Sequence, residues 1–385
     1  MIVRAGRFYD GSLDKPRTNV HIKIEDDRVK SITDSSGEYD LDAACVTPGL
    51  VNAHVHLEMT GHPDTMGAFV GTTPSQRMIW AVANARKTLL AGVTTVRDVG
   101  CSQSIVMELR DAIDAGDVPG PAIRAAGNVL CMTGGHGWFV GRAVDSPWDA
   151  VKAVREQRKN GADCIKLIAT GGVLTKGAVP GIAQLTEEEM RAAIDEARKH
   201  NMPVAAHAIG TEGIKNALRA GVTSIEHGHL LDDEAIELFK KHNTYLVPTL
   251  TAPTCIVEHA QDGTQPEFVT RKAAELTHHM AANIAHAYKS GVKIAGGSDA
   301  GTPYNYHEKY AYEIELMHTI LGMTRQEALH AATAVAGELV GANTGMLREG
   351  DLADVLLFDA DFEKDIRVLG WPRVVIKQGR VVSAI

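Results

Sequence analysis

The hydrophobic pattern divides the chain into two β-rich ends and a long middle of mixed strands and helices. Near the start, residues 20–24 alternate between apolar and polar side chains, and a second alternating run follows a short turn. The same pattern returns near the end, at 354–358 and 374–376. We therefore predict one small β-sandwich domain that is built from both termini, residues 1–47 and 350–385.

The middle of the chain alternates short apolar runs with amphipathic helical segments. Thr186 and Glu189 form a capping box at the start of one helix, and Thr324 opens another. Eight strand–helix units in series predict an α/β fold, a (β/α)8 TIM-like barrel over residues 48–349. The eight predicted strands lie at 49–56, 93–98, 122–126, 164–169, 204–207, 224–227, 245–249 and 293–298.

An open, doubly wound parallel sheet is the alternative fold for this pattern. It predicts a glycine-rich phosphate-binding turn directly after the first strand. The first strand here ends in His54 and His56 instead, which favours the barrel. In a barrel, the loops at the carboxyl ends of the strands form the active site.

Composition and charge exclude several classes of function. A net charge of −9 on 385 residues argues against a nucleic-acid partner, which needs a basic face. Without an apolar run of about 20 residues, no membrane partner is expected, and the first residues do not resemble a secretory signal. The five cysteines are scattered and form no CxxC motif, which is typical of reduced thiols in a cytoplasmic protein.

Two histidines one residue apart close the first predicted strand. Alternate residues of a strand point to the same side, so His54 and His56 should project together from its end. Two imidazoles that aim at one point suit a divalent metal ion. Because the chain has 17 histidines, a chance pair at an exposed strand end is the competing interpretation.

Other metal-binding side chains follow later strands, which favours the metal site over the chance pair. His207 and His227 each close an apolar run, and Asp299 follows the last predicted strand. Lys166 lies inside an apolar strand, where an unpaired lysine is disfavoured. A buried lysine near dications loses its proton more easily, and the neutral amine can react with CO2 to form a carbamate. A lysine that reaches the surface or pairs with Asp163 is the alternative.

These segments resemble the amidohydrolase superfamily, and within it the metal-dependent dipeptidases related to prolidases and to imidazolonepropionase. The resemblance covers the predicted barrel from end to end. The segments that carry it are TPGLVNAHVH at 47–56, GVTTVRD at 92–98, IKLIATGG at 165–172, VAAH at 204–207, SIEHG at 224–228, GSDAG at 297–301 and DLADV at 351–355.

The resemblance implies two divalent metal ions, expected to be zinc. His54, His56 and Asp299 would hold one ion, and His207 and His227 would hold the other. Imidazole and carboxylate are ordinary zinc ligands in catalytic sites.

The resemblance also implies a modified lysine and a proton carrier. Lys166, carboxylated by CO2 to N6-carboxylysine, and a hydroxide would bridge the two ions, and the hydroxide would attack an amide carbonyl. Asp299 would take the proton and pass it to the leaving nitrogen, as a general base and then a general acid.

Several further residues are candidates for contact with the substrate. His136 lies on a glycine-rich loop and is expected to hydrogen-bond a substrate carbonyl or carboxylate, a catalytic role that the resemblance supports. His229 either orients its loop or touches the substrate. Tyr304 and His307 follow Asp299 and either touch the substrate or belong to a mobile surface loop.

Three charged residues near these segments are interpreted as structural. Glu226 precedes His227 and should point away from it along the strand. Arg97 and Asp98 are expected to form a pair near the second strand.

The leading hypothesis is a hydrolase that cleaves a C–N amide bond, in a dipeptide of the Xaa-Pro type. The alternatives are an imidazolonepropionase-like cyclic amide hydrolase, a one-metal deaminase with Glu212 as its base, and an atypical amide, ester or lactone hydrolase. The sequence after His207 lacks the polar residue that many dipeptidases carry near 209, which leaves the substrate open. A non-catalytic homologue is disfavoured because the ligand set is complete. We expect a small-molecule amide or dipeptide as the binding partner and a homo-oligomer as the assembly.

Overall fold

The structure, a computed structural model, describes residues 1–34, 37–102 and 104–384. Its strands are β1 (Ile2–Phe8), β2 (Arg17–Glu25), β3 (Arg28–Asp34), β4 (Leu41–Pro48), β5 (Leu50–Val55), β6 (Val93–Asp98), β7 (Ala122–Ala125), β8 (Val129–Cys131), β9 (Gly141–Ala143), β10 (Ile165–Ile168), β11 (Val204–Ala208), β12 (Ser224–His227), β13 (Tyr245–Val247), β14 (Lys293–Ile294), β15 (Val355–Phe358), β16 (Val374–Lys377) and β17 (Arg380–Ala384). Its α-helices are α1 (Thr65–Val70), α2 (Pro74–Leu90), α3 (Ile105–Asp114), α4 (Pro147–Lys159), α5 (Glu187–Arg198), α6 (Thr211–Ala220), α7 (Asp233–His242), α8 (Thr251–Glu258), α9 (Glu267–Lys289), α10 (Tyr310–Leu321), α11 (Arg325–His330) and α12 (Ala336–Val340).

Both ends of the chain contribute strands to one seven-stranded sheet, in the order β17-β16-β15-β4-β1-β2-β3. β1 and β4 pair in parallel, and the other neighbours pair antiparallel. Apolar side chains from both ends pack together in a buried cluster that includes Val3, Ile22, Val355 and Ile376. The N-terminal and C-terminal segments are therefore held by a common apolar core.

The middle of the chain is an α/β structure with two parallel sheets. One sheet has the order β14-β13-β12-β11-β10-β8-β9, and the other has the order β5-β6-β7. Every residue of β10, β11 and β12 is buried, as expected for parallel strands that are covered on both faces. All their carboxyl ends therefore lie on the same side of the sheet.

Main-chain hydrogen bonds connect the two parallel sheets at two places. The amide of Asp299 donates to the carbonyl of His54 over 2.8 Å, and the amide of His56 donates to the carbonyl of Ala300 over 2.9 Å. At the second place, the amide of Asp163, just before β10, donates to the carbonyl of Ala125 over 2.8 Å. The first two contacts bring the end of β5 and the segment after β14 together, with His54 and His56 beside Asp299.

The last predicted strand of the middle region is much shorter than expected. We predicted a strand at 293–298, but β14 ends at Ile294. Beyond it, a Cβ on Gly296 would lie 2.3 Å from the Tyr310 hydroxyl, and one on Gly297 would lie 2.5 Å from Val247. The two glycines let this segment pass too close to its neighbours for a regular strand. The short strands β8 and β9 were not predicted.

The predicted helix starts are confirmed. Thr186 and Glu189 make both hydrogen bonds of a capping box at α5, and Thr324 and Glu327 do the same at α11. Among the described residues, none of the helices combines the length and the apolar character that crossing a bilayer requires.

Candidate metal centre and active site

Six side chains that the sequence proposed as metal ligands line one pocket at the carboxyl ends of the parallel strands. They come from five different strands or from the segments that directly follow them, so the fold brings together residues that lie up to 245 positions apart in the chain. These residues are His54, His56, Lys166, His207, His227 and Asp299.

The first group consists of two histidines from the end of β5 and an aspartate from the segment after β14. The Nε2 atoms of His54 and His56 lie 3.3 and 3.2 Å from Oδ1 of Asp299. One ligand atom from each residue lies within 4.8 Å of the others, so a single cation could contact all three. This is a candidate metal site.

One carboxylate oxygen of Asp299 has no hydrogen-bond donor in the part of the chain that the structure describes. Its Oδ1 is buried and has no hydrogen-bond partner among the described residues. Burial alone would raise the pKa of this carboxyl, but the positive charge of His54 and His56, when these rings are protonated, lowers it well below its usual value. A buried, charged oxygen without a donor costs free energy unless a cation satisfies it. The chemistry of this donor set therefore fits a divalent metal ion such as zinc.

In His54 and His56, one ring nitrogen is hydrogen-bonded to the protein, and the other faces the centre of the pocket. His54 donates from Nδ1 to Glu226 over 2.8 Å, and His56 donates from Nδ1 to the carbonyl of Gly100 over 2.9 Å. Such outer contacts fix the tautomer and the orientation of a metal-binding histidine. Each Nε2 is thereby left with a lone pair beside Asp299.

His207 and His227 form a second pair next to the first group. Their ring centroids lie 4.5 Å apart, and the ring of His227 lies 5.3 Å from that of His54. Nε2 of His207 donates a hydrogen bond to the carbonyl of Gly171 over 3.0 Å, and Nδ1 of His227 is hydrogen-bonded to the Thr249 hydroxyl over 2.7 Å. Burial lowers the pKa of both rings well below the usual value, so both are neutral and able to bind a metal.

The backbone is strained at two of these side chains. His227 has a φ of 77° and Asp299 a φ of 60°, both in the left-handed region that non-glycine residues rarely adopt. Such strain persists where the surroundings impose it, and it is concentrated at functional sites. Here it turns both side chains into the pocket from the ends of their segments.

Lys166 lies inside the pocket with its side chain almost fully enclosed. It is 2% exposed, in the middle of β10. Burial lowers the pKa of its ammonium to about 8, although Glu226 and Asp299 act in the opposite direction. A considerable fraction of this lysine is therefore neutral near pH 8. The alternative of a lysine that reaches the surface is wrong, because the side chain is buried.

His54 is hydrogen-bonded to a glutamate that belongs to a buried ion pair. Arg97 donates from Nη2 to Oε1 of Glu226 over 2.9 Å, and the other carboxylate oxygen accepts the bond from His54. Burial alone would raise the pKa of Glu226, but Arg97 and His54 lower it well below the usual value. Glu226 thus orients a predicted ligand, a contact that the sequence did not reveal.

The predicted pair between Arg97 and Asp98 is wrong. Consecutive residues of a strand point to opposite faces, and Arg97 turns towards Glu226. Asp98 instead accepts hydrogen bonds from the amides of Leu57 over 2.7 Å and Gly100 over 3.1 Å. It holds the loop that carries His56.

His136 lies beside the second pair of histidines. Its ring centroid is 4.5 Å from that of His207, and its Nδ1 is hydrogen-bonded to the Thr175 hydroxyl over 2.9 Å. Burial lowers the pKa of His136 to about 3, so the ring is neutral. Because Nδ1 is engaged, Nε2 is the atom available to a substrate group.

The remaining candidates are divided between the pocket and its surroundings. His229 lines the pocket and its Nδ1 is buried without a partner among the described residues. His307 is buried against the carbonyl of Met59, and Tyr304 stacks on His259, so neither lines the pocket. Glu212 is exposed in the first turn of α6, away from the buried ligands.

Apolar side chains form the walls of the pocket around the polar groups. Sequence analysis missed them because an apolar residue on a loop carries no sign of its function. These wall residues include Val99, Val129, Phe139, Val140, Ile168, Val173, Leu174, Ile209 and Ile256.

Comparison with known proteins gives one consistent family. Residues 45–382 match the family described as Amidohydrolase family. Ochratoxinase of Aspergillus niger is 31% identical over 364 residues, which cover 85% of this chain and 73% of that protein.

Solved structures agree over the whole chain. A Xaa-Pro dipeptidase crystallised with methionine in its active site is 34% identical, with a TM-score of 0.93 over 100% of this chain and 99% of that one. A prolidase in complex with N-methylphosphonate-L-proline is 28% identical, with a TM-score of 0.91 over the same shares of the two chains. The chain therefore belongs to the amidohydrolase family and is a hydrolase that acts on carbon–nitrogen bonds.

Proposed function

We propose that the protein is a binuclear zinc amidohydrolase that cleaves the C–N bond of a small amide, with Xaa-Pro dipeptides as the first substrates to test. The observation that carries this proposal is the set of four histidines, three buried and His56 partly buried, each with one nitrogen engaged by the protein, around the unpartnered oxygen of Asp299.

Each metal ion has its own group of residues. His54, His56 and Asp299 would hold one ion, and His207 and His227 would hold the other. Two bound zinc ions would supply water of lowered pKa and polarise a carbonyl oxygen.

Lys166 is the side chain suited to lie between the two groups. Its lowered pKa leaves amine available to react with CO2, and the carbamate so formed on Nζ carries two oxygens. One oxygen would face each group of ligands, which gives a buried lysine in this strand a chemical role.

The side chains around the ligands have separate tasks in the cleavage of an amide. Asp299, with its low pKa, is ready to accept a proton from the attacking water and to return it to the leaving nitrogen. The neutral ring of His136 can hydrogen-bond the substrate carbonyl or carboxylate through Nε2.

The alternatives receive less support from the residues. A one-metal deaminase does not need Lys166, and its proposed base, Glu212, is exposed. A cyclic amide, ester or lactone remains chemically compatible with the same centre, because the attacked carbonyl is alike.

We also propose the finer features of the architecture. The hydrogen bonds that connect the two parallel sheets at two places fit a closed (β/α)8 barrel over residues 48–349, with residues 1–47 and 350–385 as a small β-sandwich domain. A homo-oligomeric state and a cytoplasmic location stay predictions from the sequence.

The test is hydrolysis of a library of dipeptides, N-acyl amino acids, cyclic amides, esters and lactones by zinc-loaded enzyme. We expect amide cleavage, with Xaa-Pro dipeptides among the substrates. The D299N variant should be slower by about 10² to 10⁴-fold, because the proton carrier is removed. Cleavage of esters or lactones alone, or equal rates in D299N, would contradict the proposal.

A further inference from the structure

A loop after β10 forms one wall of the pocket. Residues 172–178, here called the wall loop, carry Val173 and Leu174 into the pocket lining. The same two side chains pack against a buried cluster that contains Ile256 of α8 and Val269 and Ala273 of α9. This part of the apolar wall therefore lies where the loop contacts two helices.

One lysine of α9 holds the main chain of the wall loop. Lys272 is 8% exposed, and its ammonium donates to the carbonyls of Gly172 over 3.1 Å, Thr175 over 2.7 Å and Ala178. An ammonium has three donors, so all of them are used on this one loop. Without Lys272, two buried carbonyls and one partly buried carbonyl would lose a charged donor.

The wall loop also contacts a candidate catalytic side chain. Thr175 accepts from Lys272 through its carbonyl, and its hydroxyl is hydrogen-bonded to Nδ1 of His136 over 2.9 Å. A Cβ on Gly172 would lie 2.4 Å from Nε2 of His136, so this ring lies directly against the loop. A displacement of the loop would move the ring as well.

We propose that Lys272 is a positioning residue that fixes the wall loop as the binding surface for a bulky apolar group of the substrate and, through Thr175, orients His136. The substrate class is an amide with a large hydrophobic or aromatic group next to the scissile bond. This statement rests on the proposed amide hydrolysis for its kinetic consequences, but the contact between Lys272 and the loop can be tested without activity.

The first test compares K272M with K289M, an exposed lysine at the end of the same helix. For an amide with a bulky apolar acyl group, we expect KM to rise at least about tenfold in K272M, because a misplaced wall loses apolar contact. For the matching N-acetyl amide, the change in KM should be less than about threefold. K289M should equal wild type, and K272R, which keeps a charged donor, should restore part of the difference.

The second test measures the wall loop itself by limited proteolysis of the full chain, with or without metal. Lys176 is exposed within the loop and provides a trypsin site. Cleavage after Lys176, followed by mass spectrometry, should be about tenfold faster in K272M than in wild type or K289M, since opening of the loop becomes easier. Equal cleavage rates in the three proteins would overturn the proposal.

Two outcomes separate this inference from the proposed function. If wild type cleaves no amide, the proposed function fails, while proteolysis still decides whether Lys272 holds the loop.

Should K272M fail to fold, L174A removes wall surface and leaves the ammonium in place. L174A should raise KM at least about tenfold for the bulky amide only, and an equal change for both amides would overturn the apolar-wall assignment.

Discussion

At the scale of single residues, the buried ion pair between Arg97 and Glu226 orients one of the proposed metal ligands. Arg97 is 1% exposed and Glu226 is fully buried, and their contact is shared with His54. Removing one partner of such a pair leaves an uncompensated charge in the interior. The charge of Glu226 therefore affects both folding and the orientation of His54.

We expect E226Q to lower the free energy of unfolding by about 3 kcal/mol, since Arg97 then lacks a buried counter-charge. The affinity for zinc should fall about 10 to 100-fold, because the outer contact of His54 is weakened. Denaturant titration and competition with a chelator measure the two effects.

The matched control is E234Q, which alters an exposed glutamate paired with Lys215 and Arg219. Exposed pairs contribute about 0–1 kcal/mol, so this variant should resemble wild type. If E226Q and E234Q behave alike, the supporting role of the buried pair is wrong.

Site residues could be predicted where the neighbouring sequence marks them, and not where their role depends on a distant contact. His54, His56 and Lys166 were found because a polar residue in an apolar strand is conspicuous in the sequence. The partner of Arg97 could not be found, because Glu226 is 129 residues away and lies on β12, in a different sheet from β6. His307 is in sequence close to Asp299, yet it turns to Met59 and not to the pocket.

At the scale of elements, helix α8 is held at its start by a glutamate from α10. Glu313 accepts from the amides of Leu250 and Thr251 over 2.9 and 2.7 Å, and from the Thr251 hydroxyl over 2.7 Å. Because Ile256 of α8 lines the pocket, this contact positions part of the apolar wall.

The pH dependence of stability should show the titration of Glu313. Burial raises its pKa to about 7, despite the three donors, against about 4.3 in the unfolded chain. The folded state thus binds the proton more tightly. The stabilisation is complete below about pH 4.3 and is lost as the pH rises through 7, a change of about 4 kcal/mol.

We expect E313Q, which resembles the protonated form, to lack this part of the pH dependence. Denaturant titration of both proteins between pH 4.5 and 8 gives the free energy of unfolding at each pH, and the value for wild type should fall relative to that for E313Q as the pH rises. A free-energy difference between the two proteins that does not vary with pH would contradict the assignment of the raised pKa to Glu313.

Element starts were predictable where a local motif marks them, as the capping boxes of α5 and α11 show. The two glycines that end β14 early have no such motif, since their effect comes from Tyr310 and Val247. Nor could the wall loop be predicted, because its conformation depends on Lys272 of a distant helix.

At the scale of the whole molecule, parallel strands and their order bring distant residues to one place. His54 and Asp299 are joined by a main-chain hydrogen bond across the edges of the two parallel sheets. The two ends of the chain share one further sheet. The repeated strand–helix pattern predicted this α/β organisation, because each unit follows from its own hydrophobic period.

We propose a two-metal centre that is bridged by a carboxylated Lys166, and the zinc content of the protein decides whether it forms. Wild type and K166A are loaded with zinc in the presence of bicarbonate, dialysed, and analysed for zinc per chain by plasma mass spectrometry. We predict about two zinc ions per wild-type chain and no more than one in K166A, because the bridging group is lost. One ion per chain in both proteins would contradict the account.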